Sequence, residues 1–170
     1  MTTAPEKYCL DANVLIEAWN KYYSPKFIPS YWDTLDQLGK QGRIFLPQMV
    51  FEEITRSDDK LLKWLKTSNI AIRPITEPVI RCLKDIFDAN PLHKHLVDSV
   101  KQRSLADPWV IAHAIHEKAC VVTKETKNTA SNSSRIRIPN VCDNMKVRWI
   151  NDFQFIEEIN LHFTCGFKKS

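Results

Sequence analysis

The sequence predicts an α/β protein with a central, mostly parallel sheet and helices on both faces. Short apolar segments typical of buried strands alternate along the chain with longer amphipathic segments typical of helices. Strands that are separated by helices form parallel β-α units, and their helices cover both faces of the sheet. The 170 residues, of which 44% are hydrophobic and 26% charged, suffice for one globular domain.

Each element follows from the local pattern of apolar residues and helix breakers. Pro74 limits the segment 71–75 to an edge strand or an ordered connection, and Pro47 suits the first turn of a helix. A polar stretch from Lys124 to Arg137, rich in Ser, Thr and Asn, predicts a loop. The predicted strands are 7–10, 43–46, 71–75, 119–123 and 147–150. The predicted helices are 12–20, 31–41, one starting at 47, 58–67, 77–87, 91–102, 107–118 and 152–159.

Composition limits the classes of protein that this chain can be. No apolar run approaches the roughly 20 residues of a membrane span, and the first residues lack a signal-peptide pattern. Five cysteines, an odd number without a Cys-x-x-Cys pair, predict reduced thiols in a cytoplasmic protein. The net charge of +4 permits a nucleic-acid partner without arguing strongly for one.

Four acidic residues, each at the end of a short apolar segment, are the candidates for chemistry. They are Asp11, Glu53, Asp107 and Glu125. Carboxylates at the carboxyl ends of strands and the starts of helices converge on one edge of an open α/β sheet. Clustered carboxylates repel one another unless cations lie between them. The pattern therefore suits hard divalent ions such as Mg²⁺ or Mn²⁺, and phosphodiester hydrolysis is a natural use for them.

A structural role competes with the functional one at each position. Asp11 and Asp107 both precede apolar helices, so each could be a helix N-cap, and capping is compatible with metal binding. Glu53 lies on the flank of the buried stripe of its helix, whereas Glu52 points nearly opposite and is expected to be solvated. Glu125 begins a polar loop, where a solvent-facing charge is the default. Thr123, just before it, has a hydroxyl to offer to a phosphate or to water.

The order and context of these residues resemble the PIN-domain ribonucleases, of which the VapC-type toxins of bacterial toxin–antitoxin pairs are the best-known small members. The resemblance rests on four motifs: Asp-x-Asn-x-Leu at 11–15, Glu before an aliphatic residue at 53–54, Ala-Asp-x-x-x-Ile-Ala at 106–112, and Val-Val-Thr at 121–123. It covers about residues 8–159. The segments 106–112 and 121–125 look like a longer, uncharacterised PIN-like bacterial family. The expectation is a single PIN-like domain spanning 1–170, with a core at about 7–159 and a tail whose order the sequence leaves open.

The resemblance implies that Asp11, Glu53 and Asp107 are metal ligands, with Glu125 as a looser fourth, and that Asn13 orients Asp11 by hydrogen bonding. PIN domains more often carry Asp at the position of Glu125, and the extra methylene of Glu still permits ligation. The implied activity is a Mg²⁺- or Mn²⁺-dependent endoribonuclease that cleaves single-stranded RNA to a 3′-hydroxyl and a 5′-phosphate. The implied partners are the RNA substrate and an antitoxin that blocks the cleft. A homodimer is compatible with this assignment, and no membrane is expected.

Basic residues between Lys124 and Arg148 outnumber acidic ones by six to two. Among them Lys127, Arg135 and Arg137 are the candidates for contacts with the RNA backbone beside the acidic site. A solvated loop with no RNA contact has about equal weight.

Two other functions compete with the nuclease. A haloacid-dehalogenase-like phosphatase would use Asp11 as nucleophile, but it needs a second Asp two residues later, and Asn13 stands there. A PIN-like scaffold that binds RNA or protein without hydrolysis is favoured by Glu125, whereas the three other carboxylates favour activity.

Overall fold

The computed structural model describes residues 6–57, 59–97, 105–129 and 136–167. In these ranges the chain forms a five-stranded sheet whose strand pairs are all parallel. The strands are β1 (Tyr8–Leu10), β2 (Ile44–Pro47), β3 (Ala71–Arg73), β4 (Cys120–Val122) and β5 (Trp149–Ile150). This confirms the α/β class, with strands somewhat shorter than predicted. Of the two possibilities that Pro74 allowed, the structure has the edge strand: β3 lies at an edge of the sheet and ends at Arg73.

Eight α-helices connect and flank these strands in the described ranges. They are α1 (Ala12–Glu17), α2 (Pro29–Lys40), α3 (Gln48–Ser57), α4 (Asp59–Thr67), α5 (Glu77–Ala89), α6 (Asp107–Glu117), α7 (Ile138–Asn144) and α8 (Asp152–Glu158). A π-helix (Ala18–Tyr22) follows α1 directly, and a 3₁₀-helix (Pro91–Leu96) follows α5.

Three helix predictions need correction. The segment predicted as one helix over 12–20 changes at Ala18 from α to π geometry. The segment predicted as a helix over 91–102 forms the 3₁₀-helix up to Leu96, and 98–102 lie outside the described residues. The 3₁₀-helix is held by the buried His93, whose Nδ1 lies 2.6 Å from the carbonyl oxygen of Ile86. Helix α7 was missed, although Pro139 in its first turn was a usable signal.

Strand β1 is the centre of the core. Tyr8, Cys9 and Leu10 are all fully buried, as a strand covered on both faces must be. Helix α6 packs against it, and the thiol of Cys9 donates to the carbonyl oxygen of Val110 over 3.5 Å. The five cysteines are unpaired, as predicted. No helix in the described part of the chain is long and apolar enough to cross a membrane.

The strand order is β3-β2-β1-β4-β5. After β1 the chain adds β2 and β3 on one side of it, and then adds β4 and β5 on the other side. This reversal opens a crevice between the carboxyl ends of β1 and β4, the position where open α/β sheets bind their ligands. Leu10 and Val122 are paired in register and are the last residues of these two strands. The residues that follow them, Asp11 and Thr123, therefore lie side by side at the crevice.

Candidate active site

Asp11 lies at the crevice and is held there by three hydrogen bonds. Its backbone N–H donates to the carbonyl oxygen of Val122 over 3.0 Å. Its Oδ1 accepts from the N–H of Ala12 over 2.7 Å, and its Oδ2 accepts from the hydroxyl of Thr123 over 2.8 Å. Asp11 is thus the N-cap of α1, as the competing interpretation predicted. It also presents a carboxylate at the reversal of strand order, so capping does not exclude a functional role.

The carboxyl group of Asp11 has an unusually high proton affinity. The residue is only 3% exposed, and this burial raises its pKa from 3.8 to about 7. The negative charges of Glu125 and Glu53 raise the pKa further, whereas the hydrogen bonds from Thr123 and Ala12 lower it. Three of the four predicted carboxylates therefore act on one another electrostatically at this edge of the sheet.

Thr123 and Glu125 form a connected pair after β4. The hydroxyl of Thr123, which is fully buried, donates to Asp11 and accepts from the N–H of Glu125 over 3.1 Å. The hydroxyl of Thr123 is therefore hydrogen-bonded within the protein, whereas the sequence led us to expect that it would be offered to a phosphate or to water. Glu125 is half-buried. Its Oε2 accepts from the N–H of Ile138 over 2.9 Å, at the start of α7, where helix geometry favours a negative charge.

Glu53 lies on α3, the helix that follows β2. Val50 and Ile54 on the same helix are fully buried, which agrees with the apolar stripe predicted for this helix. Glu53 itself is exposed, unlike the neighbouring Glu52. The remaining desolvation of its carboxyl group raises its pKa, the charge of Arg56 lowers it, and the charge of Glu125 raises it.

Glu52, the neighbour of Glu53, is not the fully solvated residue that we predicted. It is half-buried, and its Oε1 accepts from Nε2 of Gln48 over 2.9 Å.

Asp107 is the first residue of α6 and is 8% exposed. The N-cap of that helix is Ala106, so Asp107 lies one position later than the cap role would require. The end of α6 leads into the start of β4, so its beginning points toward the carboxyl ends of the strands. Val110, one turn further along, already contacts Cys9 in the middle of β1. Asp107 therefore lies at the same edge of the sheet as Asp11.

Asn13 makes a different contact from the one that the resemblance implied. Its Oδ1 accepts from the backbone N–H of Lys124 over 3.1 Å, whereas the carboxylate of Asp11 is held by Thr123 and Ala12. Asn13 therefore positions the segment that follows β4.

The donor set suits a hard divalent cation in chemistry and charge. Asp11, Glu53 and Glu125 supply carboxylate oxygens, and the pKa of Asp11 is raised first by burial and then by the charges of Glu125 and Glu53. In the described ranges, however, no three His, Cys, Asp or Glu side chains are already grouped so that they could hold one ion. The residues fit a metal by type and charge without forming a complete set of ligands.

Sequence reasoning missed a buried ion pair beside this cluster. The ammonium of Lys124 lies 2.7 Å from Oδ2 of Asp152 and 3.7 Å from Oε2 of Glu17. Asp152, which starts α8, is 6% exposed. It follows the carboxyl end of β5, so the rule that identified Asp11 could have identified it as well.

Only part of the predicted basic rim can be described. Lys127 is exposed, and its Nζ lies 2.6 Å from Oδ2 of Asp143, so its charge is paired. Arg137 donates to the backbone and hydroxyl oxygens of Thr126 over 3.4 and 3.3 Å. Arg135 lies outside the described residues. Exposed ion pairs contribute about 0–1 kcal/mol, so Lys127 remains free to exchange its partner for a phosphate.

Comparison with known structures identifies the fold. One similar structure is VapBC2 from Rickettsia felis, bound to a DNA fragment from their promoter. It has 18% identity and a TM-score of 0.54, over 85% of this chain and 97% of that chain. Another is FitAcB from Neisseria gonorrhoeae, with 18% identity and a TM-score of 0.54, over 86% of this chain and 98% of that chain. These similarities confirm the predicted PIN-like fold.

Comparison of sequences identifies the family. The family described as "Domain of unknown function (DUF4411)" matches residues 8–163, and the chain belongs to it. No curated protein matches the chain.

Proposed function

We propose that this protein is a metal-dependent endoribonuclease that cleaves single-stranded RNA and serves as the toxin of a toxin–antitoxin pair. Two findings support this proposal: the PIN-like fold shared with VapBC2 and FitAcB, and the carboxylates at the crevice between β1 and β4. The antitoxin would restrain the enzyme by covering the carboxyl edge of the sheet, where the candidate residues lie.

Asp11, Glu53 and Asp107 would hold a Mg²⁺ or Mn²⁺ ion, with Glu125 as a looser ligand. Such an ion would supply Lewis-acid activation of water and neutralise charge that develops at the phosphate. Thr123 fixes one oxygen of Asp11, and Glu125 is held at a defined position by Ile138 and Thr123. These contacts hold the Asp11 carboxylate and the Glu125 side chain at defined positions after β1 and β4 before any substrate arrives.

The observation that carries the proposal is the environment of Asp11. A carboxyl group that is 3% exposed, has a pKa of about 7 and lies near two other carboxylates is poorly stabilised as an anion by the protein alone. Perturbed carboxyl groups at such a crevice are typical of functional sites. A divalent cation would balance the charge that the described side chains leave unbalanced.

A cleavage assay with matched variants tests this function. We expect the wild type to cleave unstructured RNA in the presence of Mn²⁺. The cleavage rate should fall more than about 100-fold in Asp11→Asn and Glu53→Gln, because each removes an essential metal ligand. It should change little in Glu52→Gln. Glu52→Gln is the control because it makes the same change one residue away on the same helix. Circular dichroism verifies that each variant folds. Undiminished cleavage by Asp11→Asn would rule out the assignment.

The inactive scaffold remains the second candidate, because the described residues contain no ready group of three metal ligands. Calorimetric titration with Mn²⁺ separates the two. The nuclease requires binding that is lost in Asp11→Asn, whereas a scaffold that has lost hydrolysis shows no such site. Expression of wild type and Asp11→Asn in bacteria then tests the toxin role, with growth arrest expected only from the wild type.

A further inference from the structure

Three exposed aromatic rings lie near the candidate active site and are linked to one another through Lys124 and Tyr23. Tyr22, Phe153 and Phe163 are 48%, 56% and 41% exposed. We call these three rings the aromatic patch. Large apolar side chains grouped at a surface usually mark a binding site, because a folded protein gains stability by burying them.

Lys124 joins two of these rings. Its ammonium lies 4.4 Å from the ring centroid of Tyr22 and 5.6 Å from that of Phe153. The same ammonium is paired with Asp152 at 2.7 Å. The positive charge of Lys124 is therefore already compensated, and its side chain acts mainly to hold the two rings at fixed positions.

The third ring ends a stack. Tyr31 and Tyr23 are stacked with centroids 4.5 Å apart and planes 20° apart, and Tyr23 and Phe163 follow at 5.4 Å and 13°. Tyr31 is fully buried, so the stack runs from the core to the surface and finishes at Phe163. A flat ring that follows two parallel rings is well placed to accept another planar group.

The π-helix accounts for the position of Tyr22 and Tyr23. The N–H of Tyr23 donates to the carbonyl oxygen of Ala18, five residues earlier, which is the π pattern. This wider turn brings Tyr22 to Lys124 and Tyr23 to the stack. Single π-helical turns within helices occur often at functional sites.

The patch is directly connected to the crevice. The backbone N–H of Lys124 donates to Asn13, two residues after Asp11. Thr123, the residue before Lys124, holds the carboxylate of Asp11. The side chain that contacts Tyr22 and Phe153 therefore originates at the crevice, one residue after the threonine that holds Asp11.

We propose that Tyr22, Phe153 and Phe163 form a stacking platform for unpaired bases of a single-stranded nucleic acid that crosses the candidate active site. The proposal rests on the proposed nuclease function for the position of the reacting phosphate. Aromatic rings bind unpaired bases by stacking with little sequence preference. The Lys124–Asp152 ion pair lies beside two rings of the aromatic patch, whereas the centres of protein–protein interfaces are depleted of charged residues. This difference favours a nucleic acid over a protein partner.

Binding of two oligomers of equal length tests the platform. One is a single-stranded oligoribonucleotide, and the other has the same sugar–phosphate chain without bases, so only stacking distinguishes them. In full-length Asp11→Asn protein, we expect the normal oligomer to bind more tightly. Adding Tyr22→Ala or Phe153→Ala should weaken that binding by roughly 5- to 100-fold per lost base contact and leave binding of the base-free oligomer nearly unchanged.

Two further variants keep the test specific. Phe163→Leu preserves an apolar cover over Tyr23 but removes the flat ring, so it should weaken only the binding of the normal oligomer. Phe27→Ala is the control, because Phe27 is 76% exposed with Lys26 Nζ 5.3 Å from its centroid but lies outside the aromatic patch. Thermal unfolding shows whether each variant is folded.

The outcomes separate this proposal from the nuclease. Equal affinity for the two oligomers, or unchanged affinity after the ring substitutions, would overturn the platform and leave the rings to a protein partner. If wild-type protein cleaves no RNA but the ring variants still lose base-dependent binding, the nuclease fails and the platform stands.

Discussion

At the scale of single residues, Asp11 combines a structural and a candidate catalytic role. It caps α1, pairs with the end of β4 through its backbone, and holds a carboxylate that is nearly inaccessible to solvent. Most buried carboxylates are balanced by a neighbouring cation, but Asp11 has a threonine and two glutamates around it. This imbalance has consequences for stability that can be measured without any knowledge of the substrate.

Relative to Asp11→Asn, the metal-free wild type should lose stability as pH rises from about 4 to about 7. The pKa of Asp11 is about 7 in the folded protein against 3.8 as its ordinary value, so the folded state keeps a proton that the unfolded state has lost. The loss is at most about 1.4 kcal/mol per pH unit for one group. Asp11→Asn removes this dependence, and urea unfolding across this pH range in the presence of a chelator measures it. Parallel stability profiles for the two proteins would contradict the explanation.

Thr123 should be needed to stabilise the charged form of Asp11. In Thr123→Val the shape is kept but the 2.8 Å hydrogen bond to Asp11 is lost. We expect a cost of about 1–3 kcal/mol at pH 8, where the carboxylate is charged, and a smaller cost at pH 5. Thr123→Ser retains the hydroxyl and is the control. Urea unfolding at the two pH values measures the stability that Thr123→Val loses. An equal loss at both pH values would mean that Thr123 stabilises the protein by packing and not through the charged form of Asp11.

At the scale of elements, helix ends place the functional groups. Helices α1 and α6 begin with or beside the acidic residues at the carboxyl edge, and the start of α7 holds Glu125. The other end of α6 has a different constraint. Lys118 terminates that helix in the left-handed region, at φ 52° and ψ 45°, and its N–H donates to the carbonyl oxygens of Ala114 and Ile115. Non-glycine residues adopt this conformation at a cost.

Replacing Lys118 by glycine should therefore stabilise the protein by about 1 kcal/mol. Lys84→Gly is the matched control, because Lys84 is exposed in the interior of α5, where glycine should instead cost about 1 kcal/mol. Urea unfolding at constant pH compares the two variants with the wild type. A loss of stability in Lys118→Gly would show that the side chain of Lys118 contributes more than its backbone strain costs.

At the scale of the whole molecule, a domain of net charge +4 carries a cluster of carboxylates at one edge of its sheet. We expect Mn²⁺ to raise the melting temperature of the wild type by about 5–10 °C at one hundred times its dissociation constant, because ligand binding of that strength contributes about 2.7 kcal/mol. Asp11→Asn should show little shift. Thermal unfolding with and without Mn²⁺ measures both, and equal shifts in the two proteins would place the ion elsewhere.

The sequence predicted the fold well, because its strand and helix periods agree with the tertiary structure. Apolar strands such as Tyr8–Leu10 and Cys120–Val122 have the continuous hydrophobic pattern of a sheet buried on both faces. The same pattern placed Asp11 at a strand end. Contacts between distant segments have no such local signal. The hydrogen bonds from Thr123 to Asp11 and from Ile138 to Glu125 depend on the folded sheet. The π-helix at Ala18–Tyr22 likewise looks like ordinary helix in the sequence.

The central position of β1 limits how this protein can be regulated. The strand has hydrogen-bonded neighbours on both sides and side chains buried on both faces, so its amide protons should exchange only when the entire domain opens. The backbone N–H of Asp11 belongs to the same network. Fraying of an outer helix or loop therefore leaves the backbone of Asp11 in place. Control of the proposed nuclease would therefore act on access to the crevice, on the supply of the metal ion, or on the lifetime of the chain.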